Sequence, residues 1–209
     1  MRPKLILVCG PWGSGTSVVA GVVMRLGGKG YGPFFRTSDE RTPNSFELAP
    51  FRDTILSLAS EETLALKPGA EKLAAASLEA FKDRLMRGEF GAYNPDAPIV
   101  LKCPLSALLI PEICAAFDTR LIYVVRPIQE IENSRIRRQW TPQLGAAGAN
   151  LIYTRMFGLY IDHTFPTLFL RYRELLANAS FEIDRIAAFC ELRPHDAMRE
   201  VARDLVRTS

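Results

Sequence analysis

The sequence predicts an α/β protein of three layers, a parallel sheet flanked by helices on both faces. Three observations predict it. Apolar runs of strand length alternate with helical patterns along the chain. The first such run, Leu5 to Cys9, breaks into three glycines within the six positions Gly10 to Gly15, and a helical pattern follows at once. The chain has 209 residues, enough for one domain with a sizeable core and short for two, so residues 1–209 are read as a single domain.

Taken in order, Leu5-Ile6-Leu7-Val8-Cys9 is the first strand, and Val18 to Leu26 is a helix apolar on most positions, ended by Gly27-Gly28. Residues 28–46 are rich in Gly, Pro, Arg, Ser and Thr and read as a long surface loop, the kind that forms lids and substrate walls. Phe46 to Leu58 reads as a helix. Ala70 to Arg87 reads as a second, amphipathic one, with Leu73, Leu78, Phe81 and Leu85 as its buried stripe. Pro98 to Leu101 is a short strand followed by Lys102-Cys103-Pro104, and Leu105 to Phe117 is helical, with Pro111 interrupting or restarting it. Arg120 to Val125 is the clearest strand, closed by Arg126-Pro127; Ile128 to Arg138 is a helix, and another runs within 143–165. Pro166 to Leu170 is a strand closed by Arg171, and helices over about Phe181 to Glu191 and Asp196 to Val206 complete the chain.

A net charge of +3 does not point to nucleic acid, and no apolar run reaches membrane-spanning length, so neither is expected as a partner. Met1-Arg2-Pro3-Lys4 leads straight into the first strand without the features of a signal peptide. Cys9, Cys103, Cys114 and Cys190 have neither metal nor redox spacing and lie in or beside apolar stretches. They read as buried free thiols, which places the protein in a reducing, cytoplasmic compartment. His163 and His195 stand alone and read as surface or capping residues.

The chemistry is expected at the carboxyl ends of the strands, where ligands of open parallel sheets bind. Glycines let the loop Gly10–Ser17 curl with its N–H groups inward, and the next helix adds its unpaired amides and positive dipole end, a cradle for phosphate. Gly10 and Gly15 have Walker A spacing, but Thr16 stands where that motif has its Lys. Lys102, Arg126 and Arg171 close the other strands, so a ligand with several anionic groups is expected. A salt bridge to Glu174 is the plainer reading of Arg171. A solvated face is the plainer reading of Arg135, Arg137 and Arg138, with an anionic ligand as the sharper one. No Asp closes an apolar strand to hold magnesium, and no metal is expected.

The pattern resembles the sulfotransferases that use 3′-phosphoadenosine 5′-phosphosulfate (PAPS), which share the P-loop nucleotide-binding fold with nucleotide kinases but need no Walker Lys. Ser14-Gly15-Thr16-Ser17 is similar to their 5′-phosphosulfate loop. Val124-Val125-Arg126, with Ser134 eight residues on, is similar to their 3′-phosphate site. Lys102-Cys103-Pro104 resembles a Lys element of the Golgi-type members, and Leu170 to Leu176 resembles a strand-turn-helix passage near their C-terminus. The resemblance implies PAPS as sulfuryl donor, a hydroxyl or amine on a small-molecule or glycan acceptor, and no metal. It implies nucleotide binding by Trp12, Gly13, Ser14, Gly15, Thr16, Ser17, Arg126 and Ser134. It implies Glu47 as base, from the likeness of Thr42-Pro43-Asn44-Ser45-Phe46-Glu47 to a Glu-bearing segment of bacterial and Golgi-type members. The other reading of Glu47 is charge at a helix N-terminus.

The chain departs from that family at Gly13, where a basic residue is usual, and at Val18, where cytosolic members carry a Trp. Lys102 is then the cation expected to replace the missing one. Two rivals remain: a nucleotide or small-molecule kinase on the same fold, against which Thr16 counts, and a non-catalytic nucleotide-binding protein, which Gly13 keeps open.

Overall fold

In a computed structural model the described residues are 2–37, 44–162 and 165–207. Thr42, Pro43 and His163 lie outside them. The elements in chain order are β1 (Lys4–Cys9), α1 (Thr16–Arg25), β2 (Phe34–Arg36), β3 (Asn44–Leu48), α2 (Ala49–Leu58), β4 (Ala59–Ser60), β5 (Ala65–Leu66) and α3 (Ala70–Met86). Then come β6 (Ile99–Lys102), a 3-10 turn at Pro104–Leu108, α4 (Ile110–Ala116), β7 (Asp118–Val125), α5 (Ile128–Arg137) and a 3-10 turn at Pro142–Leu144. The chain continues through α6 (Ala146–Asp162), β8 (Thr167–Arg171), α7 (Tyr172–Ala177), α8 (Ala179–Phe189) and α9 (Asp196–Arg207).

Four strands, in the order β6-β1-β7-β8, form one parallel sheet. Alternation along β1 sends Leu5, Leu7 and Cys9 into one apolar layer and Ile6 and Val8 into the other. The first layer is completed by α2, α3, α4 and α6, the second by α1, α7, α8 and α9. This is the expected three-layer arrangement, and it explains why the central strands are apolar throughout. After β1 the chain goes to β6 on one side, then to β7 on the other. The order therefore reverses at β1, and a crevice opens beyond the carboxyl ends of these strands.

Several expectations are corrected. Phe46 does not begin a helix: Asn44–Leu48 is a strand, paired antiparallel with Phe34–Arg36, and the helix starts at Ala49 with Pro50 in its first turn. A strand in the first residues of this segment needs a partner ten residues back, which local pattern does not reveal. In α3 the buried stripe is Ala70, Ala74, Leu78, Phe81 and Leu85. Leu73 is 59% exposed; its five-residue step to Leu78 leaves the helical period, whereas Ala74 keeps it. Pro111 restarts a helix, one of the two expected readings: it lies in the first turn of α4, after a separate 3-10 turn. The short helix α7 directly after β8 agrees with the strand-turn-helix passage that Leu170 to Leu176 resembles. Among the described residues no helix is long and apolar enough to cross a membrane.

Candidate active site

The loop between β1 and α1 is shaped by close approach. A Cβ on Gly10 would lie 2.7 Å from the Val124 carbonyl oxygen, so only glycine lets the loop leave the strand there. Gly13 and Gly15 take φ of +75° and +99°, the left-handed region that favours glycine. At Gly15 the added carbon would lie 2.2 Å from the Tyr172 ring, which packs against the loop. The amides of Gly15, Thr16, Ser17 and Val18 have no acceptor among the described residues. They are the open N–H groups of a helix start.

This loop floors a cavity of about 630 Å³ at the carboxyl edge of the sheet. Trp12, Gly13, Gly15, Thr16 and Ser17 line it. Ser14 does not. Between the two left-handed glycines its hydroxyl turns inward, 2.8 Å from where a Gly10 Cβ would be, and finds no hydrogen-bond partner among the described residues. Its amide donates to Pro11 O at 3.2 Å.

At one end of the cavity lies the strand-end Arg126. Its Nε donates to Glu130 Oε2 at 2.8 Å, and its Nη1 donates to Gly13 O at 2.9 Å and Ser134 Oγ at 3.4 Å. Its Nη2 has no partner among the described residues. The guanidinium stands 5.2 Å from the Tyr172 ring centroid, a cation–π contact. The Tyr153 hydroxyl accepts from Arg126 N at 2.8 Å and donates to Arg126 O at 2.9 Å, which pins the strand end. Burial pushes that phenol up to about 12. Glu130 also pairs with Arg173. Hydrogen bonding from Arg126, and then from Arg173, holds its carboxyl below the usual range against the opposing effect of burial.

At the other end Lys102, last residue of β6, is buried with Glu47 of β3. Lys102 Nζ lies 2.6 Å from Glu47 Oε1 and also donates to Ser17 Oγ at 3.2 Å and Ser45 O at 3.3 Å. An ammonium has three hydrogens, and these acceptors account for all of them. Glu47 Oε2 faces Arg52 Nε at 3.6 Å, an ion pair longer than a hydrogen bond. Arg52 is itself held by Glu61 at 2.9 Å. Glu47 is therefore not a charge at a helix N-terminus: it sits on a strand, its side chain turned inward to a lysine from a different strand.

Sequence comparison finds no match, either among family models or among curated proteins. Comparison with solved structures does. The sulfotransferase STF1 from Mycobacterium tuberculosis H37Rv superposes with a TM-score of 0.65 over 97% of this chain and 71% of its own, at 13% identity. STF9 from Mycobacterium avium gives 0.59 over 99% and 68%, also at 13% identity. The sulfotransferase domain from the curacin biosynthetic pathway gives 0.56 over 95% and 77%, at 16% identity. The chain has the sulfotransferase fold.

Within that sulfotransferase fold the residues singled out from the sequence divide clearly. Glu47, Lys102, Arg126 and Ser134 line the same cavity as the loop. Arg171 does not; it is exposed and pairs with Glu174 at 3.1 Å, the plainer expectation. The arginine cluster splits: Arg137 and Arg138 line the cavity, while Arg135 pairs with Glu132 at 2.7 Å. Arg52, Trp140 and Tyr172 also line it and were missed. Tyr172 had a signal, since it lies in the segment after Leu170 already singled out; Arg52 and Trp140 had none. Cys9, Cys103 and Cys190 are buried and Cys114 half-buried. Burial pushes the Cys9 thiol up to about 12, against its hydrogen bond with Ser106. Among the described residues no three His, Cys, Asp or Glu converge as metal ligands.

Proposed function

We propose that the chain is an enzyme that transfers a sulfuryl group from PAPS to a hydroxyl or amine on a small-molecule or glycan acceptor. One observation carries the reading: four separate stretches of chain bring an open-amide cradle, a strand-end guanidinium and a buried Lys–Glu pair to one cavity. The fit to a nucleotide with two phosphate positions rests on the chain's own geometry. Among the described residues the first-turn amides of α1 lack acceptors, and Nη2 of Arg126 lacks one as well. Gly13, Gly15, Thr16 and Ser17 would hold the 5′-phosphosulfate, Arg126 and Ser134 the 3′-phosphate, and Trp12 would give the base an aromatic wall. Ser14 would act through the shape of the loop, because its hydroxyl is turned away.

PAPS supplies an activated sulfuryl group whose leaving group is a phosphate. Glu47 Oε2 takes the acceptor's proton, since Oε1 is already engaged by Lys102. Lys102 bridges the cradle and the base, bonded to Ser17 on one side and Glu47 on the other, and places its charge beside both. It stands in for the basic residue absent at Gly13.

The test is calorimetry with adenosine 3′,5′-bisphosphate and AMP, both in EDTA. A charge-assisted phosphate contact is worth about 1.5–3 kcal/mol, so the bisphosphate should bind roughly ten- to a hundredfold tighter. Arg126→Ala should remove that preference; Ser134→Ala, which spares the bond from Arg126 to Gly13 O, should reduce it. Equal affinity of the wild type for both nucleotides refutes the assignment. ATP binding that requires magnesium would favour the kinase. Transfer of labelled sulfate from PAPS to a panel of alcohols, phenols, amines and sugars tests the chemistry.

A further inference from the structure

The helix α6 buries Gly148, Ala149, Ile152, Met156 and Leu159 and turns its opposite face outward. On that outer face Ala147, Leu151, Thr154, Gly158 and Ile161 follow one another at intervals of four, three, four and three residues. This is the spacing of a seam between two helices, and no residue in it is charged. Ile161 is 81% exposed and Leu151 37%. At Gly158 an added Cβ would meet nothing within 4 Å, so the seam is open at its middle to a second backbone. On one flank the exposed rings of Phe157 and Tyr160 pack on Phe169 of β8, an edge strand of the sheet, and the apolar surface continues onto that edge. The other flank carries Arg155 and Asp162, both exposed, one heptad apart on either side of Gly158. Neither makes a hydrogen bond or ion pair among the described residues.

We propose that this face pairs with itself, α6 of one copy lying antiparallel on α6 of a second copy about a two-fold axis beside Gly158. The charges choose this occupant. In an antiparallel pair like flanks face each other, so Arg155 of each copy meets Asp162 of the other, and one patch supplies both halves of two ion pairs. A parallel pair would turn this flank toward Phe157 of the other helix and leave all four charges unpaired. An uncharged helix face left exposed beside exposed aromatic rings is the kind of surface that marks an interaction site, and here the patch carries its own complement. No α6 residue lines the cavity, so the inference is independent of what the cavity binds.

Sedimentation velocity over a concentration series of the full chain is the test. The wild type is expected to dimerise reversibly. Ile161→Glu should be monomeric with unchanged circular dichroism, since its side chain is exposed. Arg155→Asp and Asp162→Arg should each weaken association about tenfold, and the two together, which exchange the charges, should restore it. Gly158→Cys should give a disulfide-linked dimer on mild oxidation, as its position next to the axis requires. A wild type that stays monomeric at its highest soluble concentration overturns the proposal. So does a dimer that survives both Ile161→Glu and Arg155→Asp, which would use another face.

Discussion

Replacing Lys102 by methionine removes one half of a buried ion pair and leaves the other half in place. The two side chains are 5% and 9% exposed, with Nζ 2.6 Å from Oε1. At an effective dielectric constant of about 20, charges about 4 Å apart interact by roughly 4 kcal/mol. Removing one partner of a buried pair costs about 3–5 kcal/mol, because the remaining charge is stranded out of water. The two single substitutions should differ. Lys102→Met leaves Glu47 facing Arg52 at 3.6 Å, so its cost should fall at the low end, about 3 kcal/mol. Glu47→Leu leaves Lys102 with only the Ser17 hydroxyl and the Ser45 carbonyl, so its cost should reach about 5 kcal/mol. The double variant, an apolar pair of similar volume, should cost far less than the sum. Urea unfolding with m-values measures all three. Singles that each cost under about 1 kcal/mol and simply add would refute the reasoning, because that is how exposed bridges behave. The variant that isolates chemistry is Glu47→Gln, which keeps an acceptor for Lys102 and removes the base. Transfer should fall by about a hundred- to ten-thousandfold with the fold intact. A wild-type rate in that variant would remove Glu47 from the mechanism.

Two other outcomes follow from the geometry. Glu130 has its pKa lowered from 4.5 by Arg126 and Arg173, so its stabilising effect is complete above the ordinary carboxylate range and is lost as pH falls through the lower folded value. The stability difference between wild type and Glu130→Gln should hold constant near neutral pH and shrink below about 4.5; a difference unchanged in acid would refute this. Alanine at Gly15 drives a carbon to 2.2 Å from the Tyr172 ring, whereas at Gly13 the nearest atom, Ser134 Cβ, is 3.2 Å away. Gly13→Ala should cost about 1–2 kcal/mol for its left-handed φ alone, and Gly15→Ala more, with loss of nucleotide binding. Equal thermal shifts for the two would contradict that order.

The parts of the site legible in the sequence are those built within one strand and the turn after it. Gly10 to Ser17 form a cradle because strand, glycines and helix are contiguous, and their geometry is set by neighbours in the chain. Arg126 and Ser134 meet because a strand end and the second turn of the following helix are a fixed distance apart. Lys102 was visible as a strand end, and the parallel sheet brought it to the same edge. The tertiary structure decided what depends on distant partners. Glu47 reads as the start of a helix until Phe34–Arg36 is seen to pair with Asn44–Leu48 and turn its carboxylate inward. Ser14 belongs to the loop by sequence, but the left-handed glycines on either side point its hydroxyl into the protein. Arg171 also closes a strand, but it stands level with Val125 rather than Arg126, and on the edge strand β8 it stays in solvent beside Glu174. Backbone periodicity is a local property and can be read one residue after another; the direction of a side chain in a shared cavity is set by elements tens of residues away, and only their packing reveals it.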